Sequence, residues 1–208
     1  MLVLQQIATK SEERKRELPT VPIIETDFME NIIHGMMVSK LAYALAKELQ
    51  YEENVCYELG IAGMLHDIGK LKLNHYVNEK NKDIMRVDEL RYVRTHSTIG
   101  YAILSEQGYS EFVRKSILYH HENYDGTGYP SNLEAEEIPY GARILRICDA
   151  FAALISNRPY RSAFDKETAI ELMIEDIKYF DLKMFLAFQK VLQDDKLMKS
   201  LDNMYVCG

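Results

Sequence analysis

Residues 26–50 read TDFMENIIHGMMVSKLAYALAKELQ, and the spacing of their apolar side chains decides the fold class. Large apolar residues recur every three to four positions, as they do along one face of an amphipathic α-helix. These positions are Phe28, Ile32, Ile33, Met36, Met37, Leu41 and Leu45. Thr26 or Asp27 can cap the amino end. The pattern therefore predicts a helix that ends near Gln50.

Similar periodicity continues along the chain. A second helix is predicted to begin at Asn54 and to end at Gly69, whereas residues 71–88 are polar and weakly periodic and predict a surface loop. Further helices are predicted at residues 88–107, 110–121, 139–156, 165–178 and 181–199. No row of alternating strands is present. The expected fold is all-α, a compact helical bundle with at most a short hairpin or two.

The length of 208 residues is typical of one domain. Residues 1–25 contain Pro19 and Pro22 and predict an N-terminal arm or short helix. Residues 26–200 would form the domain, and residues 201–208 a C-terminal tail. The arm could pack on this domain or pair two copies as a homodimer, and the sequence leaves both open.

Charge and cysteine content narrow the class of protein. The net charge of −7 argues against coating polymeric nucleic acid, although a small phosphorylated ligand needs only local positive charge. Cys56, Cys148 and Cys207 show no CxxC spacing, which favours a reducing cytoplasm. No apolar run reaches the roughly 18 residues of a membrane span, and the opening MLVL is too short for a signal-peptide core. We therefore expect a cytoplasmic protein without a membrane segment.

Several residue patterns are typical of metal ligands. Glu30 and His34 are four residues apart on the first predicted helix, so both could reach one metal or form an ordinary surface pair. His66 and Asp67 in the stretch HDIGK end an apolar helix, where burial of a charged pair needs a metal or a mutual hydrogen bond. His96 could be a ligand or a satisfied core histidine.

The doublet of His120 and His121 raises a geometric question. Successive helical side chains diverge by about 100°, so two neighbouring imidazoles would fit two nearby ions better than one, with a chance doublet as the alternative. Asp149 lies on a predicted buried helix and needs compensation from a metal, or from Arg143 or Arg146.

These candidates share one kind of ligand chemistry. All of them offer nitrogen or oxygen donors and none offers a thiolate. Such a set suits Fe, Mn or Zn in a multinuclear carboxylate-bridged site, and argues against a structural zinc held by cysteines.

Three motifs carry a resemblance to a known family. They are HDIGK at residues 66–70, HHENYDGTGYP at 120–130 and CDAFAALISNRPYR at 148–161. Across residues 26–195 the chain resembles the HD-GYP family, a branch of the HD-domain metal-dependent phosphohydrolases. The resemblance implies an all-helical fold and hydrolysis of cyclic di-GMP to pGpG and onward to GMP. It also implies two or three divalent metal ions, Fe or Mn first, with Zn, Ni or Mg as other candidates.

The resemblance also assigns site residues. It implies that the metal ligands are Glu30, His34, His66, Asp67, His96, His120, His121 and Asp149. Among them, Glu30 matches the extra carboxylate of members with three metals. Asp67 and Lys70 match the catalytic positions, with Asp67 between two ions. The implied substrate contacts are Lys70, Gly128, Tyr129, Arg158 and Arg161.

Two positions depart from the family pattern. Asn74 stands where the family usually has proline, and Ala152 stands where it usually has a second aspartate. These departures leave two alternatives: a phosphohydrolase for another cyclic dinucleotide or nucleotide, or a catalytically weak sensor that binds a cyclic dinucleotide.

Overall fold

The computed structural model describes residues 28–77, 93–157 and 162–204, with the side chains of Phe28 and residues 74–77 left out. Its α-helices are α1 (Phe28–Glu48), α2 (Glu53–Leu65), α3 (Gly69–Val77), α4 (His96–Glu106), α5 (Glu111–Leu118), α6 (Tyr140–Leu154), α7 (Lys166–Glu175), α8 (Leu182–Val191) and α9 (Asp195–Asp202). Two 3₁₀ turns span Ala135–Glu137 and Ile177–Tyr179. Within the described ranges there is no β-strand, only an isolated bridge between Asp125 and Glu134. The predicted all-α fold is confirmed.

Helix α1 lies at the centre of the bundle and packs against α2, α6 and α8. Of its predicted apolar face, Met37, Leu41 and Leu45 are buried, whereas Ile32 and Ile33 are partly exposed and Met36 is exposed. Val38, Ala42 and Ala46, which the prediction did not include, are also fully buried. Helix α6 is buried on a broad face that includes Phe151, whose ring meets Phe188 of α8 edge to face at 5.3 Å. Because α1 and α6 are both central, a polar side chain on either one can reach the interior.

The predicted loop at residues 71–88 is wrong in its first part. Helix α2 ends at Leu65, and a new helix, α3, begins at Gly69 and continues to Val77. A side chain at Gly69 would lie 2.0 Å from the carbonyl oxygen of His96, so this glycine allows a close approach between helices and does not end one. His75, predicted to be in the loop, lies in α3. Residues 78–92 fall outside the described ranges.

The C-terminal region also differs from the predicted single helix at residues 181–199. It forms α8 and α9, because the carboxylate of Asp194 accepts the amides of Lys196 and Leu197 and starts a second helix. Helix α9 extends to Asp202, and Leu201 is fully buried. The domain limits at residues 26 and 200 stay predictions, because residues 1–27 and 205–208 are not described.

Asp181 joins two parts of the bundle, and its removal should destabilise the fold. One oxygen, Oδ1, caps α8 by accepting the amides of Lys183 and Met184, while Oδ2 accepts a 2.7 Å hydrogen bond from Arg143 of α6. Asp181→Ala would leave that largely buried guanidinium unpaired, so we expect a loss of about 3 kcal/mol of unfolding free energy in urea titrations. Asp165→Ala, which removes the exposed cap of α7, serves as control. Equal losses for the two variants would contradict this role of the Arg143 pair.

Two of the three cysteines lie in the described ranges, and the helices there bear on the prediction that no segment crosses a membrane. Cys56 and Cys148 are free and buried, and burial raises the pKa of the Cys148 thiol well above its usual value. Cys207 lies outside the described residues. Among the helices of the described ranges, none combines the length and the apolar character required to cross a bilayer.

Candidate metal centre

Seven of the predicted ligands meet at one place in the bundle. They come from α1, the turn after α2, the start of α4, the turn after α5, and α6. Their ligand atoms form three groups, each within 4.8 Å: His34, His66 and Asp149; His66, Asp67 and His120; His96, His120 and His121. Because His66 and His120 each belong to two groups, the seven residues form one continuous cluster.

Three imidazoles of this cluster are oriented in the same way. The Nδ1 atom of His66 lies 2.8 Å from the carbonyl oxygen of Gly63, and those of His96 and His120 lie 2.6 Å from the carbonyls of Val93 and Ile117. A carbonyl only accepts, so Nδ1 carries the hydrogen in each case. The three Nε2 atoms are therefore left to face the cluster, as is usual for metal-binding histidines.

The two oxygens of Asp67 face different ends of the cluster. Oδ1 lies 3.3 Å from Nε2 of His96, whereas Oδ2 lies 3.3 Å from Nε2 of His66. Lys70 donates a 2.6 Å hydrogen bond to Oδ2 from the first turn of α3. A carboxylate in this position can contact cations on both of its sides.

Asp149 is compensated by histidines and not by the arginines considered from the sequence. Its Oδ1 atom lies 2.9 Å from Nε2 of His34 and 3.6 Å from Nε2 of His66. Arg143 instead pairs with Asp181, and Arg146 hydrogen-bonds to Asn123. The alternative of an arginine partner is therefore wrong for both candidates.

Burial and mutual charge set the protonation of the cluster. Burial lowers the pKa of His96, lowers that of His121 to about 3, and lowers that of His120 still more clearly. Burial also disfavours charge on His66, but the carboxylates of Asp67 and Asp149 outweigh it and raise the His66 pKa to about 10.

The carboxylates respond in the opposite direction. Burial alone would raise the pKa of Asp67 and Asp149. His66 and Lys70 outweigh this effect at Asp67, and His34 and His66 do so at Asp149, so both pKa values lie well below their usual range. Both carboxylates and most imidazoles are thus in the deprotonated form that binds metal.

The arrangement fits bound cations. Nε2 of His96 and Nε2 of His120 are 3.3 Å apart, and with hydrogen on both Nδ1 atoms each presents a lone pair to the other. Such a contact is repulsive unless a cation or proton lies between them. In addition, Nε2 of His66 and Oδ1 of Asp67 are buried and make no hydrogen bond with any described residue. A nitrogen and oxygen donor set of this kind suits Fe, Mn or Zn.

The GYP turn lies beside the cluster. A side chain at Gly128 would lie 2.2 Å from the amide nitrogen of Asn123 and 2.4 Å from Cα of Glu122, so only glycine fits there. The following residue, Tyr129, stacks its ring on His121 with centroids 4.8 Å apart, and its amide donates to the His121 carbonyl. The turn therefore places an aromatic ring at the edge of the centre.

Some predicted site residues are not part of this cluster. Glu30 is exposed and belongs to none of the three groups, so its role as a ligand stays a prediction. Arg158 and Arg161 lie outside the described residues. The expectation that His120 and His121 diverge is wrong, because both follow α5 in a turn, with ring centroids only 3.9 Å apart.

The sequence reasoning missed Glu122 and Arg94 near the centre and considered Arg146 only as a partner for Asp149. Glu122, only 1% exposed, accepts the amide of Ser131 at 2.6 Å and braces the GYP turn. Its place between the histidine doublet and the glycines could have signalled this role. Arg94 lies over the ring of Tyr129, and Arg146 reaches Asn123. No local pattern distinguishes these two arginines from surface ones.

A protein-family model described as HD domain matches residues 3–184. The chain belongs to the HD-domain family. The match confirms the resemblance that was inferred from the motifs. His66 and Asp67 of the HDIGK stretch lie at the middle of the cluster.

Two relatives agree with this membership. The HD domain is 37% identical over 160 residues to a cyclic di-GMP phosphodiesterase of Pseudomonas aeruginosa, covering 76% of this chain and 38% of that protein. It is 31% identical over 160 residues to the 3'3'-cGAMP-specific phosphodiesterase 3 of Vibrio cholerae, covering 76% and 35%. The chain thus spans less than two fifths of the length of these relatives.

The fold is similar to that of a solved structure. An HDG"Y"P protein from Bdellovibrio bacteriovorus superposes with a TM-score of 0.63 at 23% identity, over 81% of this chain and 54% of that one. The helical bundle is therefore shared even where most residues differ.

Proposed function

We propose that this HD domain is a metal-dependent phosphodiesterase that hydrolyses cyclic di-GMP to pGpG and onward to GMP. The observation that carries the proposal is the continuous cluster of seven donors, with the two oxygens of Asp67 facing its two ends. The similarity to cyclic di-GMP and cGAMP phosphodiesterases supports the class of substrate.

We infer that the cluster holds two divalent ions, Fe or Mn. One end would use His34, His66 and Asp149, the other His96, His120 and His121, and Asp67 would serve both. Ions bound there would lower the pKa of water to near neutrality and offset negative charge on the phosphoryl oxygens. Glu30 lies one helical turn before His34 and is our candidate ligand for a third ion.

The protein side chains would orient the substrate phosphate. Lys70 already lies against Asp67 and would present its remaining ammonium hydrogens to a phosphoryl oxygen. Gly128, which lets the turn pack against the backbone of residues 121–123, would hold Tyr129 beside the ligand, and the Tyr129 ring would contact a guanine base. Arg158 and Arg161 are proposed as further phosphate contacts.

A second substrate class has specific support. Relatives specific for 3'3'-cGAMP are 31–32% identical over much of the chain. Ala152 is fully buried in the α6 core, so the side chain at this departure from the family pattern makes no polar contact with a ligand. We therefore keep cGAMP hydrolysis as the alternative activity and cyclic-dinucleotide sensing as the non-catalytic one.

Product chromatography after anaerobic purification tests the proposal. Protein with its metals measured by elemental analysis would be incubated with cyclic di-GMP, 3'3'-cGAMP and cyclic di-AMP, with chelator-treated protein as control. We expect two or three equivalents of Fe or Mn and formation of pGpG, then GMP, only in the metal-loaded sample. Preferred cleavage of 3'3'-cGAMP would support the alternative substrate, and binding without cleavage would leave only the sensor.

Three further expectations concern the cellular compartment, the oligomeric state and the binding of nucleic acid. Buried free thiols at Cys56 and Cys148 fit a reducing cytoplasm. We retain a homodimer as a proposal, and we expect no binding of polymeric nucleic acid because the net charge is −7.

A further inference from the structure

Two arginines lie next to the centre and form no ion pair with a carboxylate of the described residues. Resting on the proposed function, we propose that Arg94 and Arg146 bind a phosphodiester anion of the substrate beside Tyr129. Arg94 and Arg146 both lie outside the three sequence motifs, and Arg146 precedes the third motif by two residues.

Comparison of the arginines in the described ranges singles out this pair. Arg143 is neutralised by Asp181 at 2.7 Å. Arg114 donates to Ser105 and lies over the ring of Tyr101, away from the cluster. Arg94 and Arg146 form no ion pair within 4.0 Å with any residue that the structure describes.

Arg146 holds a positive charge at a mostly buried position. It stands three residues before Asp149 on α6, so both side chains leave the same side of the helix. Its Nε donates 3.0 Å to the side-chain oxygen of Asn123, and its guanidinium lies over the ring of Phe180. The side chain is partly buried, and this burial lowers the pKa of Arg146. Asp149 favours the charge on Arg146, but no described carboxylate lies within 4.0 Å of its guanidinium, so a bound anion would stabilise the cation further.

Arg94 approaches the same place from another element. It is exposed, precedes His96 by two residues, and lies 5.2 Å from the centroid of the Tyr129 ring. That ring stacks on His121 of the cluster. Arg146 reaches the same turn through Asn123, whose backbone amide nitrogen would lie 2.2 Å from a side chain at Gly128, the residue before Tyr129.

The negative charges at the centre explain why binding of a phosphodiester would need Arg94 and Arg146. Asp67 and Asp149 contribute two negative charges, and Lys70 is already in contact with Asp67. A phosphodiester brings another negative charge to this edge. Guanidinium groups bind phosphate oxygens in a bidentate manner, which makes two unpaired arginines suitable partners.

The test compares Arg94→Gln, Arg146→Gln and the double variant with Arg114→Gln, which removes an arginine over a tyrosine remote from the cluster. KM and kcat would be measured with cyclic di-GMP and with bis(4-nitrophenyl) phosphate, a phosphodiester without bases. We expect each single change to raise KM about tenfold and the double change about a hundredfold, since a charge-assisted contact has about this strength. The kcat, the metal content and the melting temperature should stay near those of Arg114→Gln, and lysine at either position should recover part of the loss.

The outcomes separate this inference from the proposed function. If cyclic di-GMP is not cleaved but the arginine variants still weaken turnover of bis(4-nitrophenyl) phosphate, only the substrate assignment fails. If the protein cleaves neither compound, equilibrium dialysis against pGpG measures the same contacts. A KM or dissociation constant that matches the Arg114→Gln control would overturn the inference, and so would a loss of metal in step with the loss of affinity.

Discussion

Asp67→Asn is expected to reduce kcat/KM for cyclic di-GMP at least about a thousandfold, because stabilisation by metal ions contributes several kcal/mol to such reactions. The substitution keeps the size of the side chain but removes its charge. Each oxygen of Asp67 faces one end of the cluster at 3.3 Å from a histidine Nε2, so both ends would lose a donor. We expect elemental analysis to show at least half of the metal lost.

A surface variant and a melting-temperature measurement test whether the effect is specific to Asp67. Asp202→Asn changes an exposed aspartate at the end of α9 and should leave activity and metal content unchanged. The melting temperature of chelated Asp67→Asn should be lower than that of the chelated parent protein, because the amide loses the ionic contacts of Asp67 with Lys70 and His66. Full activity in Asp67→Asn, or full metal content without activity, would contradict a role of Asp67 in holding both ions.

Gly69→Ala is expected to lower both the stability of the fold and its metal content. The added Cβ would lie 2.0 Å from the carbonyl oxygen of His96 and 2.9 Å from the amide of Gly100, and both are backbone atoms that cannot rotate away. The start of α3 must then move away from the start of α4. We expect a loss of about 3 kcal/mol of unfolding free energy, at the upper end for overpacked sites, and a lower metal content because Asp67 and His96 would separate.

Gly60→Ala is the matched control. Gly60 lies within α2, where an added Cβ would meet only Ser39 and Tyr43 at 3.5 Å or more. Alanine is the better helix former, so this variant should be unchanged or more stable by up to about 1 kcal/mol. If urea unfolding gives similar free energies for both variants, the close approach at Gly69 does not hold the two helices together.

The same glycine shows where sequence reasoning reached its limit. The apolar spacing in residues 26–50 predicted α1 well, since one continuous face of a long helix is visible in local sequence. Gly69 was read as the end of a helix because a C-terminal glycine and a glycine at a close contact look alike in sequence. The contact with His96 is a tertiary feature, and only the fold reveals it.

The sequence predicted which residues form the site, but not how their side chains are arranged. The motifs contain five of the seven residues that the structure brings together, and the family resemblance added His34 and His96. Neither could show that Nδ1 of His66, His96 and His120 each binds the carbonyl three residues earlier. The sequence correctly indicated that a buried Asp149 needs a compensating partner. It could not identify His34 as that partner, because the two residues are 115 positions apart. Arg94 carried no signal, because its neighbour Tyr129 is distant in sequence.

Anomalous X-ray diffraction at the Fe and Mn absorption edges tests the central claim most directly. Crystals of anaerobically purified protein should show at least two peaks inside the cluster, each within about 2.3 Å of histidine Nε2 atoms. One peak should lie on the His66 side of Asp67 and one on the His96 side. Metal-loaded crystals with no anomalous peak among these donors would contradict the account.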